Sequence, residues 1–541
     1  MALSIIVRNG TVLDGRGSRP IQADVAISGD TIVEVGAIGE VPGATEIDAR
    51  GCMVAPGFVN VLSHSYFTLQ QDPRGLSDLY QGVTTQIFGE GVSLGPVTGV
   101  MTPAMLGLGA IPSGVQSHWT RLRHFLETLE MAGVGFNVAS FVGAANLRMA
   151  VAGNDERPLT DAELAAACAL LDEELESGAL GVGSALIYPP GSYADTEELR
   201  AFSRVLAKHD AVHISHLRSE GLRFLESVEE LIDVARTTGA RAEIYHLKAA
   251  GRAHWYKMAR ALELVDSARA DGVRITADIY PYEAGNTRLS ASLPPEFRSN
   301  DSEKLRAHLA STIDRAEIRS RMSREDENWE NLFAASGGGE GVTILSPVPS
   351  LGVRGGETLA SIARRLGHSD PVESVLAVLD ALPGAEAAYF IATEENTRAA
   401  FERPWVSVGS DADALSTGEL FSGQAAHPRS FGTFARILSR YSRGDGGQTI
   451  EECVRRMTSL PAENFGLGDR GYLAPGAIAD LAIFDPHRIE DRATYDNPAV
   501  YAVGMRHVLV NGKPALSDGA PTGELAGRAL RRSRRSGGAG C

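Results

Sequence analysis

The sequence predicts an α/β protein whose central part is a barrel of parallel strands, with a small β domain built from the two chain ends. Three observations predict this. From residue 56 to about residue 465, short apolar runs alternate with helix-like segments, as in parallel strands joined by crossover helices. Both chain ends instead alternate short Val/Ile runs with turn signals, as antiparallel strands do. The chain has 541 residues, more than the about 250–300 at which a single core stops growing.

The two chain ends show the same sequence pattern. In residues 1–55, apolar runs are separated by turn signals such as Asn9-Gly10. The same pattern recurs in Gly476–Asp485 and His507–Gly512. We therefore predict one small β domain made of residues 1–55 together with residues 466–530.

The barrel, predicted over residues 56–465, has its clearest unit between residues 211 and 248. Two apolar runs end in His216 and His246, and Phe224–Thr238 between them has apolar residues at three- and four-residue steps, as on an amphipathic helix. Parallel strands joined by a helix present their C-terminal ends on one side, so both histidines are predicted to open onto one pocket. A single buried histidine is more often an ordinary core residue, but two at such strand ends indicate a metal site.

Further elements follow in chain order. Asp161–Ser177 is predicted to be a helix with Thr160 as its N-cap, and Gly178–Ser184 a strand that ends in a loop. The alternation breaks over residues 289–386, where a charged helical segment and a Gly-rich turn replace it. We interpret this stretch as an insertion at the barrel mouth that shapes substrate access. Residues 531–541 are a short basic tail that is predicted to be disordered.

Composition and charge exclude several classes of function. A hydrophobic content of 43% and a charged content of 22% are ordinary for a soluble globular protein, and the net charge of -17 argues against a nucleic-acid partner. No apolar run reaches the about 18 residues of a membrane span, and the N-terminal run is too short for a signal peptide. The four cysteines show neither metal-type spacing nor a disulfide framework. These features predict a cytoplasmic protein without a membrane partner. They leave open whether the protein forms a homo-oligomer.

Several motifs in the chain occur together in one known order. The main four are Pro56-Gly57-Phe58, Ser215–Glu220, Tyr245–Lys248 and Gly409-Ser410-Asp411. Supporting stretches are Ile187–Ala194, Asp278–Gly285, His427–Phe434, Asp469–Gly476 and Val510–Gly512. In this order and spacing they resemble the amidohydrolase superfamily, and within it the D-aminoacylase (N-acyl-D-amino-acid deacylase) branch, over nearly the whole chain. The resemblance implies a TIM-like (β/α)8 barrel with a small β-sandwich.

The first metal motif departs from that family. Where the superfamily has His-x-His after the first barrel strand, this chain reads Leu62-Ser-His64, and leucine cannot bind a metal. The D-aminoacylase branch has a bridging cysteine after its second strand, and Gly89-Glu90-Gly91 stands there instead. A carboxylate can replace a thiolate as a zinc ligand, so we predict that Glu90 is a ligand rather than an ordinary loop glutamate. The flanking glycines let the backbone turn sharply toward the mouth.

One catalytic zinc ion per chain is then expected. Glu90, His216 and His246 supply three ligands and leave the fourth tetrahedral position for water, whose pKa zinc lowers from about 15.7 toward about 7. The resemblance implies that Asp411 moves a proton from this water to the leaving nitrogen. His64 either holds a weaker second metal ion with Asp411 or only forms a hydrogen bond at the mouth.

The resemblance also implies the substrate. Lys248, Tyr188 and Tyr280 match family positions near the substrate carboxylate. Arg288 and Arg429 are further candidate anion binders that serve equally well as salt-bridge partners. The expected reaction is attack of a zinc-bound hydroxide on the amide bond of an N-acyl-D-amino acid or a related small amide. Two alternatives stay open. The first is another enzyme of the same superfamily, which hydrolyses a cyclic amide, a carbamoyl group or a small peptide, or which is a deaminase. The second is a non-catalytic scaffold with this fold.

Overall fold

The computed structural model describes residues 3–98, 101, 119–299, 302–326, 329–421, 423–443 and 447–533. The strands are β1 (Ile5–Val12), β2 (Ile21–Ser28), β3 (Thr31–Gly36), β4 (Thr45–Asp48), β5 (Met53–Pro56), β6 (Phe58–Asn60), β7 (Val83–Phe88), β8 (Asn137–Ser140), β9 (Val142–Gly143), β10 (Gly181–Ala185), β11 (Val212–His216), β12 (Arg241–Ile244), β13 (Ile275–Ile279), β14 (Ala284–Arg288), β15 (Val342–Ile344), β16 (Glu386–Phe390), β17 (Val406–Val408), β18 (Leu481–Phe484), β19 (Met505–Val510), β20 (Lys513–Ser517) and β21 (Ala520–Pro521).

The α-helices are α1 (Thr68–Gln71), α2 (Leu76–Leu79), α3 (Leu122–Ala132), α4 (Ala144–Ala152), α5 (Asp161–Glu176), α6 (Thr196–Lys208), α7 (Phe224–Thr238), α8 (Lys257–Ala270), α9 (Ser302–Ala310), α10 (Thr312–Met322), α11 (Leu332–Ala335), α12 (Leu359–Leu366), α13 (Pro371–Ala381), α14 (Glu394–Phe401), α15 (Arg429–Arg436), α16 (Ile450–Met457) and α17 (Ser459–Phe465). In the part of the chain that is described, no helix is both long and apolar enough to cross a membrane.

The centre of the chain alternates parallel strands with helices, as the sequence predicts. Strands β6, β7 and β8 pair in parallel, and a six-stranded parallel sheet has the order β17-β13-β12-β11-β10-β9. The predicted strand–helix–strand unit is β11, α7 and β12, and α7 has the predicted bounds. Helix α5 begins after Thr160, whose hydroxyl accepts the amide of Glu163 while the Glu163 side chain bonds back to Thr160. Such a cap typically stabilises a helix by about 1 kcal/mol.

The two parallel sheets approach each other at both edges. Only Phe141 separates β8 from β9, and its amide donates to the carbonyl oxygen of Phe88 in β7 at 2.9 Å. At the other edge, Ser63 beyond β6 forms a parallel bridge with Ala412 beyond β17. Apolar side chains from β6, β7, β8, β11 and α17 fill the space between the strands as one buried cluster. Because the C-terminal ends of these strands point the same way, residues that follow them share one mouth.

Strands from both chain ends form a separate nine-stranded sheet. Its order is β21-β20-β19-β18-β5-β1-β2-β3, with β4 paired to β1. The two ends meet where β5 pairs antiparallel with β18, Pro56 lying opposite Leu481. A buried apolar cluster of Val, Ile, Leu and Ala residues from both ends packs on this sheet. Residues of both ends therefore share one core, which holds the two ends together.

The stretch between β13 and β17 has a sheet and a core of its own. Strands β14, β16 and β15 pair antiparallel in that order. The charged helical segment predicted here is observed as α9 and α10. Its apolar core, which includes Leu293, Ile344 and Leu376, also contains Ala250 from the loop after β12. This core therefore packs directly on the loop that follows β12.

The start of the C-terminal tail is bound to the rest of the protein. The amide of Arg532 donates to the carbonyl oxygen of Gly178 at 3.1 Å, and that of Ser533 to Gly466 at 2.8 Å. Residues 534–541, which carry the rest of the predicted disordered tail, lie outside the described residues.

Candidate functional site

The residues that follow the parallel strands surround one large cavity. Its volume is about 2260 Å³, and it is lined both by the loops after the parallel strands and by residues between β13 and β17. The predicted metal and catalytic residues all face this cavity: His64, Glu90, His216, His246 and Asp411. The structure thus brings together five side chains that the sequence spreads over nearly 350 positions, since His64 and Asp411 are 347 residues apart.

Glu90 is the centre of the first cluster. Its Oε1 lies 3.0 Å from Nδ1 of His216 and 2.9 Å from Nε2 of His246. Burial alone would raise the pKa of Glu90, but the hydrogen bonds from His216 and His246 outweigh it and hold this pKa well below its ordinary value. Glu90 is therefore an ionised carboxylate bracketed by two imidazoles.

The donor atoms of this cluster fit a zinc ion. One ligand atom each from Glu90, His216 and His246 lies within 4.8 Å of the others. On the far side of the imidazoles, Glu220 Oε1 lies 3.1 Å from Nδ1 of His246 and Oε2 lies 4.0 Å from Nε2 of His216. Only the contact to His246 is within hydrogen-bond range, so Glu220 borders the far nitrogen of His246. The nitrogens of His216 and His246 that face Glu90, together with its carboxylate oxygen, form a donor set that suits Zn²⁺ once those nitrogens give up their protons.

The backbone at these positions is unusual. Gly89 and Gly91 have φ values of 110° and 66°, and a Cβ on Gly89 would lie 2.4 Å from the carbonyl oxygen of Phe141. Only glycine fits there, and the sharp turn that the two glycines predict is present. His246 and Asp411 also have positive φ values, 34° and 51°. Left-handed backbone at residues with side chains is strained and persists where the surrounding structure enforces it, as at active sites.

A second cluster shares Glu90 with the first. His64 Nε2 lies 3.0 Å from Oδ1 of Asp411 and 3.4 Å from Oε2 of Glu90. Burial lowers the pKa of His64, but its hydrogen bonds to Asp411 and Glu90 outweigh that effect and raise this pKa to about 10. In this state His64 is a cation that donates to Asp411. The same three residues also meet the distance requirement for a metal site.

Asp411 is held from its other side by Arg429. Nη1 of Arg429 lies 2.8 Å from Oδ2 of Asp411, and Arg429 is buried while Asp411 is half-buried. Burial raises the pKa of Asp411, but the charge of Arg429 and the hydrogen bond from His64 hold it below its ordinary value. Arg429 is thus a salt-bridge partner of the predicted proton carrier, one of the two roles that the sequence left open.

Leu62 occupies the place of a histidine in the predicted metal motif. Its side chain is 1% exposed and belongs to the apolar cluster between the strands. Its carbonyl oxygen accepts the amide of Asp411 at 2.9 Å. Leu62 therefore contributes packing and a backbone contact to the site, and no metal ligand.

Two site residues were missed by the sequence analysis. Glu220 lies behind the imidazoles as described, and its place in the motif Ser215–Glu220 was the available signal. Asn60 was missed because its partner is 350 residues away in the chain: its Oδ1 accepts the amide of Ser410 at 2.9 Å and its Nδ2 donates to the Ser410 hydroxyl at 2.8 Å. This pair of bonds fixes the residue before Asp411.

The predicted substrate-binding residues lie around the two clusters. Lys248 is buried, and its Nζ donates to Oε1 of Glu220 at 2.6 Å. The ring centroid of Tyr188 lies 5.5 Å from that of His216. The hydroxyl of Tyr280 is buried without a hydrogen-bond partner among the described residues, and the Lys248 ammonium lies 5.6 Å from its ring centroid. Arg288, the last residue of β14, also lines the cavity.

Comparisons with known proteins agree with this geometry. A model of the amidohydrolase family matches residues 350–516. N-acyl-D-glutamate deacylase of Alcaligenes xylosoxydans xylosoxydans is 34% identical over 533 residues, 98% of this chain and 97% of the relative.

Two solved structures are similar over the same length. N-acyl-D-glutamate deacylase from Bordetella bronchiseptica, complexed with zinc and a phosphonate inhibitor that mimics the tetrahedral intermediate, has a TM-score of 0.79 at 32% identity, covering 98% of this chain and 100% of the other. A D-aminoacylase, described as having a binuclear metal centre with one-metal activation and second-metal attenuation, has a TM-score of 0.79 at 32% identity with the same coverage.

Proposed function

This chain belongs to the D-aminoacylase branch of the amidohydrolase family, and from that membership we infer that it is a zinc-dependent hydrolase of N-acyl-D-amino acids. The observation that supports this most directly is the cluster of Glu90, His216 and His246 at the cavity mouth, with Asp411 beside it. A scaffold that had lost catalysis would have no use for two half-buried carboxylates, Glu90 and Asp411, that repel each other at this place, because withdrawing such charges from water is costly.

Glu90, His216 and His246 would hold the zinc ion, with Glu220 orienting the imidazole of His246 from behind. When bound, zinc supplies a Lewis acid that lowers the pKa of water and polarises the amide carbonyl. The family's relatives with zinc and with a mimic of the tetrahedral intermediate support this role. We propose one catalytic ion per chain, because a second metal ion beside His64 and Asp411 would lack the histidine ligand that Leu62 replaces.

Asp411 is the proposed general base and acid. Its ionised carboxylate, held by Arg429 and His64, is ready to accept a proton from the attacking water. The same oxygen then delivers this proton to the leaving nitrogen of the amide. The rigid backbone at Asp411, fixed through Leu62 and Ser410, keeps the carboxylate in place during both transfers.

The substrate carboxylate is proposed to bind on the cationic side of the cavity. Lys248, Arg288 and Tyr280 line that side, and Tyr188 lies beside His216. Burial lowers the pKa of Lys248, but the charge of Glu220 outweighs it and holds this pKa above its ordinary value, so the ammonium stays charged. A free carboxylate of an acylated amino acid is an anion that such a group binds strongly.

The remaining proposals concern architecture and location. We propose that the two parallel sheets close into one eight-stranded barrel, with β8 and β9 as one interrupted strand and Ser63–Ala412 as the closing bridge. The proposed units are residues 56–465 for the barrel, residues 289–386 for its insertion, and residues 1–55 with 466–530 for the β domain. The described cysteines, Cys52, Cys168 and Cys453, are free, which supports the cytoplasm as the location.

One experiment tests the function. The purified protein is analysed for zinc and assayed on N-acetyl-D-amino acids, on their L-enantiomers, and on cyclic amides such as dihydropyrimidines. We expect one zinc per chain and turnover confined to the D-series. Zinc with turnover of cyclic amides only would instead favour another reaction of the superfamily, and protein without zinc or turnover would favour the scaffold.

A further inference from the structure

Glu330 connects the insertion to the loop that follows β11. Its Oε1 accepts three hydrogen bonds: from the hydroxyl of Ser219 at 2.5 Å, from the amide of Glu220 at 2.7 Å and from the amide of Gly221 at 2.9 Å. Two consecutive amides and a hydroxyl that converge on one oxygen form a small anion-binding site in the backbone. The carboxylate that fills this site comes from the insertion, 109 residues later in the chain than Gly221.

The loop is held on its opposite side by the barrel. The amide of Ala250, after β12, donates to the carbonyl oxygen of Glu220 at 2.7 Å. A Cβ on Gly221 would lie 3.3 Å from the carbonyl oxygen of Ala250 and 3.5 Å from Oε1 of Glu330, so the loop fits closely between the two. The backbone of Glu220 is therefore fixed on one side by Ala250 and on the other by Glu330.

The side chain of Glu220 has a defined task in the site. Its Oε1 lies 2.6 Å from Nζ of Lys248 and 3.1 Å from Nδ1 of His246. Nζ of Lys248 lies 2.8 Å from the same Nδ1, so Glu220 holds in place both the ammonium and the imidazole nitrogen that faces away from the proposed zinc ion. A shift of the Glu220 backbone would weaken both contacts at once.

The arrangement is costly, which supports a specific role. Glu330 and Glu220 are both acidic and close together, and burial together with the charge of Glu220 raises the pKa of Glu330. A neutral acceptor would hold the loop without this repulsion. The three donors that converge on Oε1 offset part of this cost and hold the loop at three points.

We propose that Glu330 is a positioning residue of the metal centre: by fixing the backbone of Glu220 it keeps His246 and Lys248 in their working orientation. The inference rests on the proposed zinc-dependent function. Its consequence is that the insertion, which contributes no metal ligand among the described residues, sets how tightly the barrel holds zinc.

The test uses the full-length, zinc-loaded protein and the variants Glu330→Ala and Glu330→Gln. Zinc release to an excess of a coloured chelator and kcat on an N-acetyl-D-amino acid are measured. Residues that orient metal ligands typically change affinity or activity by roughly 10- to 100-fold, and we expect this range for Glu330→Ala. Glu330→Gln keeps an acceptor oxygen without the charge, so intermediate values are expected. The matched control is Glu340→Ala, an insertion glutamate that is 68% exposed and pairs with Arg364.

A second pair of variants shows whether Glu330 acts through Glu220. In a Glu220→Ala background, adding Glu330→Ala should accelerate zinc release little or not at all. An equal effect of Glu330→Ala in both backgrounds would overturn the proposal, as would wild-type release from both Glu330 variants. If Glu330→Ala does not fold, Glu330→Gln decides, and wild-type release from it counts against the proposal. Wild-type protein that binds zinc without hydrolysing the substrate overturns only the proposed function, and protein that binds no zinc overturns both.

Discussion

Oε1 of Glu90 lies 2.9 Å from Nε2 of His246, although the two residues are 156 positions apart in the chain. Glu90 follows β7 and His246 follows β12, so only the common mouth of the parallel strands brings them together. This contact defines the proposed zinc site and supplies the first prediction.

Glu90→Ala should abolish zinc binding and activity, because it leaves the ion with two strong protein ligands. Glu90→Gln should behave nearly as badly, since a neutral amide is a poor zinc ligand. Glu90→Cys should recover part of the zinc content if the shorter side chain reaches the ion. Zinc is measured by elemental analysis, and circular dichroism checks the fold. Glu263→Ala, a helix-surface variant of a residue that is 62% exposed, is the control. Full zinc content in Glu90→Ala would make His64 the better candidate for the third ligand.

Asp411→Asn should lower kcat by roughly 10²- to 10⁴-fold, the range for loss of a general acid–base, while zinc stays bound. The amide keeps the size of the side chain but accepts no proton. Steady-state kinetics and zinc analysis of one preparation separate the two effects. Asp271→Asn, at a residue that is 65% exposed, serves as control. A parallel loss of zinc and activity would show that Asp411 is mainly a ligand.

Active protein should contain one zinc ion per chain, and His64→Ala should retain that ion. We expect the variant to lose activity, because Asp411 loses the hydrogen bond from His64 that helps to keep it ionised. Equilibrium dialysis against zinc gives the stoichiometry. Nearly two zinc ions per chain in active wild-type protein would contradict the prediction of one ion, which rests on Leu62 replacing a histidine ligand.

Lys248→Met should raise KM for an N-acetyl-D-amino acid by roughly 10- to 100-fold, because a charge-assisted hydrogen bond contributes about 1.5–3 kcal/mol. The same substrate with its carboxylate converted to an amide lacks the anion. The variant should therefore discriminate much less between the two substrates than the wild type does. If the variant preferred the free acid as strongly as the wild type does, the substrate carboxylate would bind elsewhere. Arg288 would then be the next candidate.

Glu243 should lower the free energy of unfolding as pH rises from about 4.5 to about 7. This residue is fully buried in β12, and burial raises its pKa to about 7, although Thr276, Ser407 and Asn464 donate hydrogen bonds to it. In the unfolded chain its pKa is about 4.3, so between these values the folded state retains a proton that the unfolded state has lost, and folding weakens.

The variant Glu243→Gln isolates this effect. Its melting temperature relative to that of the wild type should rise between pH 5 and pH 7.5, because only the wild type must ionise a buried carboxyl group. Thermal denaturation at both pH values measures the difference. A relative melting temperature that falls over this interval would contradict the sign of the prediction.

Local pattern was enough for much of the fold. The apolar spacing of Phe224–Thr238 and the cap at Thr160 determine their helices, because each depends on residues a few positions apart. The parallel alternation and the pairing of His216 with His246 follow from the same local periodicity, since strand ends in such a fold face one side. The family motifs added the reaction class and zinc.

Tertiary structure alone decided how the site is held. Arg429 binds Asp411, Asn60 fixes Ser410, and Glu220 lies behind His246. Each of these contacts joins side chains from different strands or loops, and neither distance nor orientation across a cavity is encoded in local spacing. The role of Leu62 likewise needed the structure, since a missing ligand in the sequence says nothing about what fills its place. The sequence determined which chemical groups reach the mouth, and packing between distant segments determined which of them touch.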